Sequence, residues 1–175
     1  MTATVTFNPG NLLVSRSVYT GIASTVPFPG VLPNGAASLA NGSYPNVFLN
    51  EGADASFGVT SPIFLDQVTT SGTVLSSQNV TDLVSSQLKK NISTSFPSKS
   101  ELALNLTPDG TGVTFVSYLA APNLLDISNS NTPGYLDNTN PASSVGTYQR
   151  SITRIDSNGN VVDLTPINAY SGNNG

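Results

Sequence analysis

Apolar and polar residues alternate along much of this chain in runs of five to eight, the period-two pattern of half-buried β-strands. A turn at Asn8-Pro9-Gly10 precedes the run Asn11-Leu12-Leu13-Val14-Ser15-Arg16-Ser17-Val18-Tyr19, a predicted strand. Leu65-Asp66-Gln67-Val68-Thr69-Thr70-Ser71-Gly72-Thr73-Val74-Leu75 then forms two alternating runs around a polar turn that ends in Gly. The same pattern returns as Ile152-Thr153-Arg154-Ile155-Asp156-Ser157-Asn158-Gly159-Asn160-Val161-Val162, at a constant offset of 87 residues. Each copy predicts a tight hairpin. Gly10–Ser15 also lines up with Gly112–Ser117 at an offset of 102. The pattern predicts an all-β chain of antiparallel sheets, built from two units of strand, long variable loop, strand, tight turn and strand. The units run over about 8–80 and 101–168 of a single domain, 1–175.

Between these runs the periodicity changes. Thr81-Asp82-Leu83-Val84-Ser85-Ser86-Gln87-Leu88-Lys89-Lys90 predicts one short helix. Thr81 is its expected N-cap, Asp82 suits the positive end, the lysines suit the negative end, and Leu83, Val84 and Leu88 form its apolar stripe. Glu101–Leu106 and Val113–Ala120 alternate as strands around the turn Thr107-Pro108-Asp109-Gly110-Thr111-Gly112. Residues 20–60, rich in Gly, Pro, Asn and Ser, predict an elaborated surface loop, held to the sheet by Phe28, Tyr44, Phe48 and Phe57. A second long polar loop runs over 123–147.

Leu106-Thr107-Pro108-Asp109-Gly110-Thr111-Gly112-Val113-Thr114-Phe115-Val116-Ser117-Tyr118 resembles a β-propeller blade, in which such a turn joins an inner strand to the next. Ile155-Asp156-Ser157-Asn158-Gly159-Asn160-Val161 resembles the third-to-fourth strand hairpin of those blades. Together they cover about half of the chain and are similar to secreted bacterial proteins with propeller-like repeats and no assigned activity. Propellers close with about four to eight blades, so two units leave sheet faces and edges open. Three completions follow: the chain is a fragment of a longer protein, it assembles with its own copies, or it closes as a β-sandwich. We expect the fragment.

Composition narrows the chemistry. Asp, Glu, Lys and Arg make up 9% of the residues, against about 25% in an average domain. Ser, Thr and Asn supply 62 of the 175 residues, so hydroxyls and amides hydrate this surface in place of charges. We expect an extracellular or cell-surface protein. Six basic residues against ten acidic ones give a net charge of -4, which lacks the basic footprint that nucleic acid requires. No apolar run approaches the roughly 20 residues that span a bilayer, so no membrane insertion is expected. Met1–Phe7 has no basic start or apolar stretch, so the extracellular reading expects any leader upstream. The chain has no Cys and no His. Disulfides, thiolate sites, Ser-His-Asp triads and histidine-bound zinc within it are thereby excluded.

The remaining chemistry is carboxylate and aromatic. Asp156-Ser157-Asn158-Gly159-Asn160 superficially resembles a calcium loop, but such a loop needs Gly at the sixth position and Glu at the twelfth. Here Gly is fourth and Ile167 stands twelfth, so a hairpin turn is the reading. Asp54, Asp126 and Asp137 lie in loops that could converge and hold calcium, the one cofactor considered. Tyr44 and Tyr135 could stack on a sugar, so Tyr44, Tyr135, Asp126 and Asp137 are the candidate ligand-binding residues. No catalytic residue is assigned. Function is expected to be that of a non-enzymatic extracellular structural or binding module that assembles through open sheet edges, with its own copies, the rest of a longer chain or carbohydrate as partners. The alternative is a piece of a propeller-type hydrolase or lyase using loop carboxylates, with or without calcium.

Overall fold

The computed structural model of the protein describes residues 4–19, 28–32, 35–54, 57–96, 102–125, 127 and 148–167. In chain order these form β1 (Leu12–Ser17), a 3-10 helix (Asn46–Gly52), β2 (Val59–Ser61), β3 (Ile63–Val68), β4 (Val74–Asn79) and α1 (Val80–Leu88). They continue with β5 (Thr94–Phe96), β6 (Asn105–Leu106), β7 (Gly112–Tyr118), β8 (Arg150–Asp156) and β9 (Val161–Ile167). The fold is mostly β and every ladder is antiparallel. A first sheet has the order β1-β3-β4, a second β6-β7-β8-β9, and β2 pairs with β5. The first sheet has three strands where a propeller blade has four, and no sheet among the described residues closes on itself.

The two predicted hairpins share their hydrogen-bond geometry. In the first, Thr69 N donates to Thr73 O (2.8 Å) and Gly72 N to Thr69 O (2.9 Å); in the second, Asp156 N donates to Asn160 O and Gly159 N to Asp156 O, both at 3.0 Å. Each ladder slips by one residue at the corresponding place, between Gln67 and Val68 and between Arg154 and Ile155. The preceding strands correct the alignment made from sequence. Leu12 faces Val68 and Val113 faces Ile155, so β1 and β7 correspond at an offset of 101, not 102. That single residue matters because it exchanges the two faces of a strand.

Side-chain direction follows from this register. Leu13, Ile63 and Leu65 of the first sheet point toward α1, whose Val80, Leu83 and Val84 are fully buried. Phe115 and Ile155 of the second sheet complete the same core, with Val113, Val161 and Leu164 packed around it. α1 therefore lies between two sheets. Asn79, not Thr81, caps it: the Asn79 side chain accepts from Asp82 N at 3.1 Å. Thr81, in the first turn, is buried, accepting from Ile63 N (3.0 Å) and donating to Ile92 O (2.9 Å), so it ties the helix to the start of β3 and to the segment that follows the helix. Leu88 is exposed and Val80 takes its expected place in the stripe.

Gly159 fastens the second hairpin to the N-terminal segment. Its φ of +75° is left-handed, and a Cβ there would run into the Val5 carbonyl oxygen. Nearby, Phe7 N donates to Ser157 O (2.7 Å), while Gln78 and Gln67 of the first sheet accept from Val5 N and Asn8 N. Residues 5–8 thus lace the first sheet to the turn of the second.

Within the expected surface loop at 20–60, the described residues have more structure than their composition suggests. Leu32, Val47 and Phe57 are buried with Val59 and Leu125 in a second core, against which Phe48 packs. Phe28 is exposed, and Tyr44, also exposed, contacts the Tyr19 ring. Of the expected strand at 101–106, residue 101 lies outside the described residues, and among 102–106 Asn105 and Leu106 pair as strand.

Candidate functional site

Of the four residues picked from sequence, Tyr44 alone falls within the described residues; Tyr135, Asp126 and Asp137 lie outside them. Tyr44 is 61% exposed. Its ring centroid sits 5.7 Å from that of Tyr19, and Phe48 meets Tyr19 edge-on, also at 5.7 Å. Burial, and then the neighbouring Tyr44, push the Tyr19 phenol above its ordinary pKa. The three rings form a small aromatic cluster in which Tyr19 and Phe48 pack against the second core and Tyr44 is the exposed member. Asp54 is buried in the second core region, remote in character from an open loop ligand.

The described carboxylates with resolved partners are occupied by turns and pairs. Asp156 accepts from Asn160 N (2.8 Å) and Asn160 Nδ2 (3.2 Å), which explains its loop as a turn cap. Asp82 accepts from Asn79 and Asp163 from Thr165. Asp109 accepts from the Thr107 hydroxyl (2.6 Å) and Thr111 N (3.1 Å), and pairs with Arg154 at 3.1 Å. Those contacts, the Thr107 hydroxyl foremost, hold its carboxyl well below the usual range. Asp66, 7% exposed, pairs with Arg16 at 2.6 Å and accepts from Ser77 at 2.5 Å; the bond from Arg16 lowers its pKa most. No group of three or more carboxylates among the described residues converges to a metal-sized cluster.

A depressed carboxylate pKa in the folded state makes stability depend on pH in one direction. The unfolded chain binds the proton first, so the contribution of Asp66 and Asp109 is fully present above about pH 5, beyond the ordinary carboxylate range near 3.9. It is lost as pH falls through the lowered values. Urea midpoints should therefore be flat from neutral pH to about 5 and drop below about 4. In Asp66→Asn the midpoint is lower at neutral pH and the acid loss is shallower; an unchanged acid slope would remove Asp66 from this role.

The largest feature that sequence reasoning did not single out is the outward face of the first sheet. The ladders put Leu12, Val68 and Val74 side by side across its three strands, with Val14, Asp66 and Ser77 in the next row and Arg16, Phe64 and Asn79 beyond. Leu12 is 53% and Val14 45% exposed. The Arg16 guanidinium lies over the Phe64 ring, 4.8 Å from its centroid, and its pair with Asp66 keeps the polar row satisfied. A signal for this face was present: Leu12-Leu13-Val14 and Ile63-Phe64-Leu65 are unbroken apolar runs, which mark strands covered on both sides. Elsewhere, a depression of about 530 Å³ opens beside Lys90, Leu119, Leu124, Tyr148 and Gln149. No helix among the described residues is long and apolar enough to cross a membrane. No family model matches the chain, and no curated protein or solved structure does.

Proposed function

We propose that this protein is a non-enzymatic, extracellular structural module whose hairpin units stack as the blades of a propeller stack. The observation that carries the proposal is the relation between its two matched hairpins. Leu65 is fully buried against α1, whereas Ile152, 87 residues on, is 40% exposed; Val68 is half-buried on the outside, whereas Ile155 is fully buried in the core. The units thus meet front to back, through non-equivalent faces, as successive blades do, and not face to face as in a symmetric sandwich. The carboxylates engaged in turn caps and ion pairs favour a structural part over a hydrolytic one, and the hydroxyl- and amide-rich surface favours an extracellular setting.

The purified chain is expected to show no turnover on a broad panel of glycoside, ester and peptide substrates, and no rise in melting temperature with millimolar calcium. Turnover abolished by one Asp or Glu substitution would overturn the proposal. A calcium-dependent rise in melting temperature, which binding to the native state must produce, would favour the carboxylate enzyme instead.

A further inference from the structure

Carrying the correspondence across the whole first sheet identifies what its outward face is shaped to meet. Through the shared registers, Leu12, Val14, Val68 and Val74 correspond to Val113, Phe115, Ile155 and Val161 of the second sheet. All four of these second-sheet residues pack into the main core, with Phe115 and Ile155 buried. There they face the front of the preceding unit, formed by Ile63, Leu65 and α1. The outward quartet of the first sheet is therefore the same apolar pattern on an equivalent backbone, but with nothing described on top of it. Strands β1 and β3 carry apolar residues on both faces, as inner layers of a stack do.

The surface at the matching position lies on the outward side of the second sheet, with no counterpart of α1 among the described residues and with Tyr118 and Arg150 at its far end already buried. The outward face of the second sheet, with Thr114, Val116, Ile152 and Arg154, corresponds to the front of the first, with Leu13, Ser15, Leu65 and Gln67. We infer that the outward face of the first sheet binds the outward face of the second sheet of another copy of this chain, repeating between molecules the front-to-back contact made within one. The inference rests on the structural reading above and adds to it the partner, the two faces and the polarity of the contact. Because the two faces differ, the contact is heterologous and generates either an open stack or a closed ring. It uses sheet faces, where the sequence suggested edges; β9, at one edge, carries Pro166, which blunts edge pairing.

Two single variants and their mixture test this. Val14→Lys places a charge on the first face and Ile152→Lys on the second, each at an already exposed position, so both chains should fold; matching circular dichroism and melting curves verify that, and Leu12→Lys is the substitute for a poorly folding Val14→Lys. In sedimentation velocity the unmodified chain should form a concentration-dependent series. Each variant alone should be monomeric, its association weakened at least about tenfold by burial of an unpaired charge. An equimolar mixture should form a 1:1 dimer and stop, since only one sound face of each kind remains to meet. A mixture that stays monomeric, or variants that assemble as the unmodified chain does, would overturn the front-to-back contact between molecules while leaving the structural module standing. An unmodified chain that is monomeric throughout would overturn the contact as well.

Discussion

Ile155→Ala should lower the unfolding free energy by about 2–5 kcal/mol, and Val68→Ala, at the corresponding position of the other hairpin, by less than about 1 kcal/mol. The two residues occupy the same place beside the same ladder slip. Sequence alone treats them as equivalents. They differ in what covers them: Ile155 is fully buried in the core that holds Phe115, α1 and the first sheet's Ile63 and Leu65, whereas Val68 is on the outward face. Truncating Ile155 leaves a cavity lined by residues from three elements, and close-packed surroundings relax only partly around it. Urea titrations of the two variants at low protein concentration measure the contrast. Equal losses would mean that the hairpins present the same face to the core.

Asn50→Ala is expected to have the second large effect, about 3 kcal/mol on the region 28–54. Asn50 is fully buried in the second turn of the 3-10 helix. Its Oδ1 accepts from Leu39 N (2.8 Å) and Ala40 N (3.0 Å), and its Nδ2 donates to Ala40 O (2.9 Å). One side chain thereby supplies the hydrogen bonds that a strand partner would give to residues 39 and 40. Alanine leaves several of these backbone groups without a partner away from water, at about 1–3 kcal/mol for a buried unsatisfied group. Amide hydrogen exchange should show faster exchange at Leu39 and Ala40 in the variant, with β7–β9 unchanged. Unaltered protection at Leu39 and Ala40 would remove Asn50 from this role.

How much was legible in the sequence depends on how one-sided the pattern is. The hairpins at 65–75 and 152–162 were legible because alternation, polar turn and left-handed Gly72 and Gly159 all agree. The sense in which their faces point was not, because β3 is apolar at both Phe64 and Leu65. The one-residue slip in aligning β1 with β7 has the same cause: Leu12, Leu13 and Val14 present apolar groups to both sides, so hydrophobicity does not choose between registers. β2 and β5, three residues each, are too short for a period to show, and their pairing depends on long-range closure of the chain. Asn50 read as one loop amide among many, since nothing local marks it as buried. Tyr44 is an exposed ring beside Tyr19, and the outward apolar face is hidden in the sequence because its residues come from three separate strands.

Multi-angle light scattering of the unmodified chain over about a hundredfold range of concentration tests the central claim most directly, since association by mass action must depend on concentration. Front-to-back stacking predicts a mass that rises from the 18.1 kDa of one chain toward multiples of it. A mass constant at 18.1 kDa across the range would contradict it.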